Sequence, residues 1–282
     1  PLPADLPAQP MPPAEKRAET SPPSPVDLPA QPPHAAAVAP ETIPAATQLD
    51  ELAAKTGGRF TDLQIGSKKV PLLCTCDVEL ANEWAREIQN GIDTGLSADV
   101  ACVMGLDCEW AASWFRPGCA ERVATLQLCH HGTGGMRVLV LHLLGFAGKL
   151  PDGILSLLAD TRIAKVGAGI IGDARRLVRD FGCIVRGLYD LGSMDSGKKS
   201  VSLEDMVRAH CPSELHITKA AAIGEKGVRT SNWEAWPLSA QQLDYSARDA
   251  ALSVLAFVHR FSMAGDNSLS DTAREALVDL KH

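Results

Sequence analysis

The possible folds are limited first by an apolar run at residues 101–110, with the sequence ACVMGLDCEW. Successive side chains of a strand point to opposite faces, and this run is apolar on both faces apart from Asp107 and Glu109. A strand of this kind is typical of the centre of a sheet that is covered on both sides. The run therefore predicts a central strand.

Strand and helix patterns alternate around this run. The runs at 123–129 and 138–144 are separated by glycine-containing turns, which predicts an antiparallel meander with the 101–110 strand. From residue 154 onward, helical and strand-like segments alternate, which predicts parallel βα units. The predicted fold class is therefore α/β, a mixed sheet flanked by helices. The predicted strands are 70–76, 101–110, 123–129, 138–144, 163–167 and 184–191, and the predicted helices are 78–92, 154–158, 173–181 and 203–210.

Two more helices are predicted from their N-terminal capping patterns. Ser239 and Gln242 form a capping box, in which each residue satisfies a backbone N–H of the other, and an amphipathic helix follows. Thr272 and Glu275 form a second capping box, which predicts a final helix at 272–280.

The N-terminal segment has the composition of an extended arm. Residues 1–44 hold 14 of the 19 prolines, and the remainder is mostly Ala, Ser, Thr and Gln. Such a segment buries too little apolar area to offset its ordering entropy. We therefore predict a polyproline-like arm at 1–49, a globular domain at 50–265 and a C-terminal helix at 266–282. The arm is a candidate attachment to a large assembly.

Composition excludes several classes of protein. With 27 Lys and Arg against 34 Asp and Glu the formal net charge is −7, so any binding of nucleic acid must be local. No stretch approaches the roughly 18 to 20 apolar residues of a membrane-spanning helix, which predicts no membrane span. The eight cysteines indicate reduced, intracellular thiols. Cys74, Cys76 and the 129–131 segment could supply metal ligands, but no second site completes a zinc set.

Asp107 and Glu109 are two positions apart, so their carboxylates share one face of the predicted sheet. Burying an unpaired carboxylate is costly, and a divalent metal ion is a partner that serves two carboxylates at once. The alternative is a strand end where both carboxylates are solvated, which is the commoner situation for such a pair taken alone.

Two further features carry titratable groups. Asp173 follows the glycine-rich segment 166–172, and alone it is typical of a helix-start carboxylate favoured by the helix dipole. The glycines match a dinucleotide fingerprint but lack the first βαβ unit that such a site requires. Tyr245 and Asp249 are four positions apart, hence on one helix face, and alone they are typical of a solvated helix surface.

Three motifs combine these residues: GLDCEW at 105–110, KVGAGIIGDARRLVRDFG at 165–182, and SNW at 231–233 followed by LSAQQLDYSARD at 238–249. They resemble the DEDDy 3′-to-5′ exonucleases of the ribonuclease H-like superfamily, the group that includes ribonuclease D and the Werner-type exonuclease domain. The resemblance covers roughly residues 60–262. The third motif is most similar to the exonuclease 3′-5′ domain-containing and Werner-like branches. The stretch at 219–226 is longer than is usual in the family.

The resemblance implies a two-metal hydrolase whose catalytic residues are Tyr245 and four acids. Asp107, Glu109, Asp173 and Asp249 would bind two ions of Mg²⁺ or Mn²⁺, which prefer oxygen ligands. The family pattern implies that Asp107 bridges both ions, that Glu109 and Asp249 complete the site on the nucleophile side, and that Asp173 holds the second ion. Tyr245 would orient the attacking water, because a phenol with a pKa of about 10 is a poor base at neutral pH.

Local basic charge predicts the contacts to substrate. Residues 160–230 hold 12 Lys and Arg against 9 Asp and Glu, a net of +3, with an ordinary solvated helix surface as the alternative. The two tryptophans nearest the motifs are candidates for stacking on a base, with core packing as the alternative. The predicted substrate-binding residues are Trp110, Arg175, Arg176, Arg179, Lys198, Lys199, Arg229 and Trp233.

The predicted function is a metal-dependent 3′-to-5′ exonuclease acting on single-stranded or 3′-ended nucleic acid, DNA or RNA, which the sequence does not distinguish. The alternative is a nucleic-acid-binding structural subunit of a larger ribonucleoprotein assembly, such as an organellar ribosome, anchored by residues 1–49. We expect an intracellular protein and favour the mitochondrion over the nucleus and cytosol, although the arm lacks the Arg-rich, acid-poor composition of a transit peptide.

Overall fold

A computed structural model describes residues 57–94, 102–115, 117–132, 135–193, 201–215, 227–261 and 278–280. The chain divides into two units, residues 1–42 and 43–282, and all the described residues belong to the second. The predicted arm at 1–49, the long stretch at 219–226, and Lys198 and Lys199 lie outside the described residues. Within the described ranges, no helix combines the length and the apolar content needed to cross a membrane.

The described part of the chain contains eight strands, and it contains five α-helices that are each at least eight residues long. The strands are β1 (Arg59–Ile65), β2 (Lys68–Thr75), β3 (Cys102–Glu109), β4 (Thr125–Gly132), β5 (Gly135–His142), β6 (Ile163–Gly167), β7 (Val185–Asp190) and β8 (Val278–Leu280). The helices are α1 (Val78–Thr94), α2 (Asp152–Ala159), α3 (Ile170–Phe181), α4 (Leu203–His210) and α5 (Ala240–Phe261).

The strands form one sheet in the order β1-β2-β5-β4-β3-β6-β7-β8. β3, β4 and β5 pair antiparallel, while β3 with β6 and β6 with β7 pair in parallel. The predicted α/β class, an antiparallel meander plus parallel βα units in one mixed sheet, is confirmed. β3 has a hydrogen-bonded partner on each side, as its apolar run predicts.

Helices cover both faces of the sheet. On one face, α4 and α5 pack against strand residues such as Val103. On the other face, α1, α2 and α3 pack against strand residues such as Met104. Because consecutive residues of a strand point to opposite faces, Asp107 and Glu109 lie with Val103 on the α5 side.

β1 is a strand that the sequence patterns do not predict. It pairs antiparallel with β2 after a turn at Gly66, whose φ of 57° lies in the left-handed region that favours glycine. Only Leu63 and Ile65 of its seven residues are buried, so its hydrophobic signal is weak. Its position next to β2 extends the sheet to an edge that is distant from β3.

The helix predicted at 272–280 is wrong for its last three residues. Val278–Leu280 form β8, which pairs antiparallel with β7. Without this strand, the backbone of β7 would present unpaired N–H and C=O groups at the sheet edge. The hydrogen bonds that β8 forms with this edge outweigh the helix-forming tendency of the capping box at Thr272. Thr272 itself lies outside the described residues.

The predicted capping box at the start of α5 is confirmed. The Ser239 N–H donates to Gln242 Oε1 at 3.0 Å, and the Gln242 N–H donates to Ser239 Oγ at 3.1 Å. Gln242 Nε2 also donates to Ser231 Oγ at 3.0 Å and to the carbonyl oxygen of Asn232 at 3.1 Å. The 231–233 motif is therefore held against the first turn of α5.

Gly105 allows α5 to approach β3 closely. A Cβ atom at this position would lie 2.8 Å from the carbonyl carbon of Ala250 and closer still to its oxygen. Any side chain would therefore push α5 away from β3. Since Asp249 precedes Ala250 and Asp107 lies two positions after Gly105, this contact sets the separation of the two elements that carry these acids.

We predict that Gly105→Ala lowers the free energy of unfolding by about 1–3 kcal/mol, the usual cost of overpacking a core. The measurement is urea denaturation followed by circular dichroism. The matched control is Gly91→Ala in α1, because a Cβ there would meet no atom within 4 Å. That change should raise stability by roughly 0.5–1 kcal/mol, since alanine is the better helix former. Equal stability of Gly105→Ala and the wild type would show that the close approach is not required.

Candidate active site

Three carboxylates converge where α5 crosses β3. Asp107 and Glu109 come from β3 and Asp249 comes from α5, and one oxygen of each lies within 4.8 Å of the others. Glu109 is buried, while Asp107 and Asp249 are half-buried. Three oxygen ligands at this spacing match the ligand preference of Mg²⁺ and Mn²⁺. We call these residues the three-carboxylate group.

Asp173 lies in the first turn of α3 and is 8% exposed. The helix begins three residues earlier than predicted, because Gly169 precedes it in a left-handed conformation with φ 79°. The Gly169 N–H donates to Asp190 Oδ1 at 2.9 Å, which ties this turn to the end of β7. Asp173 does not belong to the three-carboxylate group, but its charge acts on Asp107.

Burial and mutual repulsion raise the pKa of three of these acids. Burial, then Asp173, raises the pKa of Asp107 well above its usual range. Burial, then Asp107 and Asp249, raises the pKa of Glu109 to about 10. Burial raises the pKa of Asp173 to about 7 against the opposing charge of Arg176. A divalent cation would offset this repulsion, so the donor set fits a metal site.

Tyr245 lies one turn before Asp249 on α5, and its hydroxyl donates a hydrogen bond to that carboxylate. Burial, then the charges of Asp249 and Glu109, raise the pKa of Tyr245 well above its usual value of about 10. The phenol therefore stays protonated at neutral pH, where it is a poor base and a good hydrogen-bond donor.

Trp233 is not available to a substrate base. It is fully buried, and its indole N–H donates to the carbonyl oxygen of Arg229 at 3.1 Å. Its ring lies 6.1 Å from the ring of Tyr245, so it supports that side chain from the core. The predicted substrate contact of Trp233 is wrong, and the alternative of core packing is correct, because the 231–233 motif is held against α5.

Trp110 and Arg176, both predicted to bind substrate, contact each other. The guanidinium of Arg176 lies 3.8 Å from the centroid of the Trp110 ring, a cation–π contact, and 3.5 Å from Glu121 Oε2. Trp110 follows Glu109 in the chain, and Arg176 lies one turn after Asp173. The contact therefore joins two of the elements that carry the acids, and it covers one face of the Trp110 ring.

The remaining basic candidates differ in their pairing. Arg179 forms an ion pair with Asp180 at 2.6 Å and donates to the carbonyl oxygen of Glu121 at 2.6 Å, so it holds a loop in place. Arg175 and Arg229 are exposed. The charge of Arg229 also lowers the pKa of Glu109, which indicates that it lies near the three-carboxylate group.

Two buried polar residues beside the acids are not predicted from the sequence. In the antiparallel pairing of β3 with β4, Gln127 lies opposite Asp107 and Thr125 lies opposite Glu109. Both are fully buried, and Gln127 Nε2 donates to Thr125 Oγ1 at 2.7 Å. Among the described residues Gln127 Oε1 has no hydrogen-bond partner. A glutamine inside an otherwise apolar strand, TLQLC at 125–129, is the signal that could have identified it.

The cysteines are all free thiols. Over the described ranges, the three-carboxylate group is the only set of three potential metal ligands that lie together. Cys74, Cys76 and the 129–131 segment are therefore not assembled into a zinc site there.

A family model and curated relatives both match this chain to 3′-5′ exonucleases. Residues 75–258, more than half of the chain, match the family model described as a 3′-5′ exonuclease. A 3′-5′ exonuclease of Arabidopsis thaliana is 30% identical over 173 residues, which cover 60% of this chain and 56% of that protein. Exonuclease 3′-5′ domain-containing protein 2 of Homo sapiens is 36% identical over 165 residues, 56% of this chain and 25% of that protein.

Among solved structures, Trypanosoma brucei ribonuclease D in complex with GMP has a TM-score of 0.52 and 16% identity. The match covers 67% of this chain and 56% of that one. At this identity it supports the ribonuclease H-like fold alone. The chain spans between a quarter and just over half of the length of these two relatives.

We predict that metal ions oppose the loss of stability with rising pH. The pKa values of Glu109, about 10, and Asp173, about 7, lie above their unfolded values near 4. Their contribution to the stability of the metal-free protein is therefore full below about pH 4 and is lost as the pH rises through 7 and above. Bound Mn²⁺ requires ionised ligands, so its stabilisation should be larger at pH 8 than at pH 5. At a Mn²⁺ concentration 100 times the dissociation constant, that stabilisation amounts to about 2.7 kcal/mol.

The measurement is thermal unfolding at both pH values, with and without Mn²⁺, and the control is Asp107→Asn. That variant removes one repelling charge, so without metal it should be more stable than the wild type at pH 8. A Mn²⁺ shift of equal size in the wild type and in Asp107→Asn would contradict the assignment of the metal ligands.

Proposed function

This chain belongs to the 3′-5′ exonuclease family, and we propose that it hydrolyses the terminal phosphodiester bond at nucleic-acid 3′ ends with bound divalent metal ions. The observation that carries this proposal is the three-carboxylate group, which two distant motifs build together beside a hydrogen-bonded Tyr245. Burying carboxylates that repel one another costs stability. A metal-dependent hydrolase needs such carboxylates as metal ligands, which is a functional reason to keep them despite the loss of stability.

The donor set supports Mg²⁺ or Mn²⁺ bound as two ions. Asp107 belongs to the three-carboxylate group, and among the charges that raise the pKa of Asp107 that of Asp173 has the largest effect. It would therefore be shared, with Glu109 and Asp249 on one ion and Asp173 on the other. When bound, such ions lower the pKa of a water molecule and stabilise the charge that develops on the leaving oxygen.

Tyr245 would orient the attacking water rather than remove its proton. The raised pKa keeps its hydroxyl protonated, and the hydroxyl hydrogen is directed to Asp249. The oxygen of the same hydroxyl remains able to accept a hydrogen bond from a water beside the three-carboxylate group. Holding that water in line with the bond to be broken removes part of the entropic barrier to attack.

The proposed substrate is a single-stranded or 3′-ended nucleic acid, DNA or RNA. Arg175 and Arg229 provide exposed positive charge for the phosphates. Arg175 lies two positions after Asp173, and Arg229 is close enough to Glu109 to lower its pKa. The alternative of a structural subunit depends on residues 1–49, which lie outside the described residues. The described ones offer no observation that favours it.

The direct test is digestion of matched DNA and RNA oligonucleotides with Mg²⁺ and with Mn²⁺. A 5′ label should appear in a ladder of progressively shorter products, and a 3′ label should be released first as a mononucleotide. Release of the 5′ label as a mononucleotide, internal cuts, or no hydrolysis of any substrate would each contradict the proposed function.

We predict that Asp107→Asn lowers kcat by about 10³-fold or more while the fold persists, because the shared ligand loses its charge. Single-turnover digestion measures the rate, and circular dichroism checks the fold. Asp62→Asn on β1 is the matched control, since that carboxylate is exposed and pairs with Lys69 at the surface. Undiminished hydrolysis by Asp107→Asn would exclude the proposed metal site.

For Tyr245→Phe we expect kcat to fall about 10²-fold with little change in KM, since the hydroxyl acts on the transition state rather than on the bound substrate. Steady-state kinetics on a single-stranded oligonucleotide provides both constants. Tyr189→Phe is the control, because it changes the only other tyrosine of the chain, which packs against Phe257. An equal loss in both constants would mark Tyr245 as a packing residue.

A further inference from the structure

Two aromatic side chains are exposed on the segment that follows the central strand. Trp114 is 64% exposed and Phe115 is 43% exposed, and their ring centroids lie 6.1 Å apart with a tilt of 35°. Among the described residues Trp114 is the most exposed of the large hydrophobic side chains. Adjacent exposed aromatic rings add contiguous apolar surface, and large patches of such surface mark binding sites.

The segment is anchored at the three-carboxylate group. It leaves β3 at Glu109 and returns at Ala124, whose N–H donates to the carbonyl oxygen of Glu109 at 2.8 Å. Trp114 is five residues from Glu109, so it lies at most about 18 Å from it along the chain. That span equals about five stacked nucleotides at ~3.4 Å each. The aromatic pair is therefore within reach of the last few nucleotides of a bound 3′ end.

The returning half of the segment is fixed to α3, the helix that carries Asp173. Asp180 Oδ2 accepts the Val123 N–H at 2.8 Å, and Arg179 donates to the carbonyl oxygen of Glu121 at 2.6 Å. Arg176 also contacts the Glu121 carboxylate. A segment held at both ends by elements of the site presents its aromatic rings in a defined place, which lowers the entropic cost of binding.

We propose that Trp114 and Phe115 form a platform on which an unpaired base of the substrate stacks, upstream of the bond that is hydrolysed. The inference rests on the proposed function and extends it to a preference for 3′ ends whose last nucleotides are single-stranded. Exposed Arg122 lies on the same segment and Arg175 on α3, so positive charge for the backbone accompanies aromatic faces for the bases. That combination is typical of single-strand binding without sequence preference, because every base has a π-face.

An abasic scan tests the platform. A 5′-labelled single-stranded oligonucleotide carries one abasic site at each of its last five positions in turn, and its affinity is measured by fluorescence anisotropy in the Asp107→Asn protein. We expect one or two positions at which the missing base weakens binding, by roughly 5- to 150-fold. Adding Trp114→Ala should weaken binding of the intact strand by a similar factor and remove the effect of the abasic site at those positions.

Variants and controls separate stacking from misfolding. Trp114→Phe should retain most of the affinity, and Phe115→Ala should reproduce a part of the loss. The matched control is Phe60→Ala, an aromatic residue that is 38% exposed on edge strand β1 and points away from α5. It should leave affinity and the abasic profile unchanged, and all variants should melt within a few degrees of the parent protein.

Two outcomes distinguish this inference from the proposed function. If the wild type shortens 3′ ends but its abasic profile is the same with and without Trp114, the platform is disproved and the exonuclease stands; a protein partner would then be the occupant of the aromatic pair. If the wild type shortens no substrate while binding still depends on Trp114, the exonuclease function is disproved and the platform stands.

Discussion

The contact between the backbones of Gly105 and Ala250 is the constraint on which the whole site depends. It brings a helix that carries Asp249 against a strand that carries Asp107 and Glu109, with no side chain between them. Apolar packing of α5 on the sheet supplies the favourable free energy that holds these charges together against their repulsion. Burial first, and then the neighbouring carboxylates, raises the pKa of Asp107 and of Glu109.

The position of α5 along its own axis is set at its N-terminus. The capping box of Ser239 and Gln242 begins the helix. Two hydrogen bonds from the side-chain amide nitrogen of Gln242 attach the helix to the 231–233 motif. Trp233 in that motif then packs beside Tyr245. The third motif therefore acts as a unit, in which the cap, the buried tryptophan and the tyrosine fix one another. From this motif Asp249 joins the three-carboxylate group, and Tyr245 forms a hydrogen bond with Asp249.

Elements with strong local signals could be predicted from the sequence, whereas contacts between elements could be predicted only where the family motifs imply them. The α4 bounds agree with the predicted 203–210, and the convergence of Asp107 with Asp249 follows from family motifs. β1 is not predicted because it buries only two of its residues. β8 is not predicted because it forms by pairing with the open edge of β7, which its own sequence does not report. The pairing of Arg176 with Trp110 depends on how α3 lies against the end of β3, which no local pattern reports.

The three-carboxylate group is built from residues that lie 142 positions apart, since 249 minus 107 is 142. At a synthesis rate of about 5–20 residues per second, roughly 7 to 28 seconds separate the appearance of Asp107 and Asp249 at the ribosome. During that interval the nascent chain holds two of the three ligands and lacks Tyr245. The three-carboxylate group can therefore form only after α5, which carries Asp249, has left the exit tunnel.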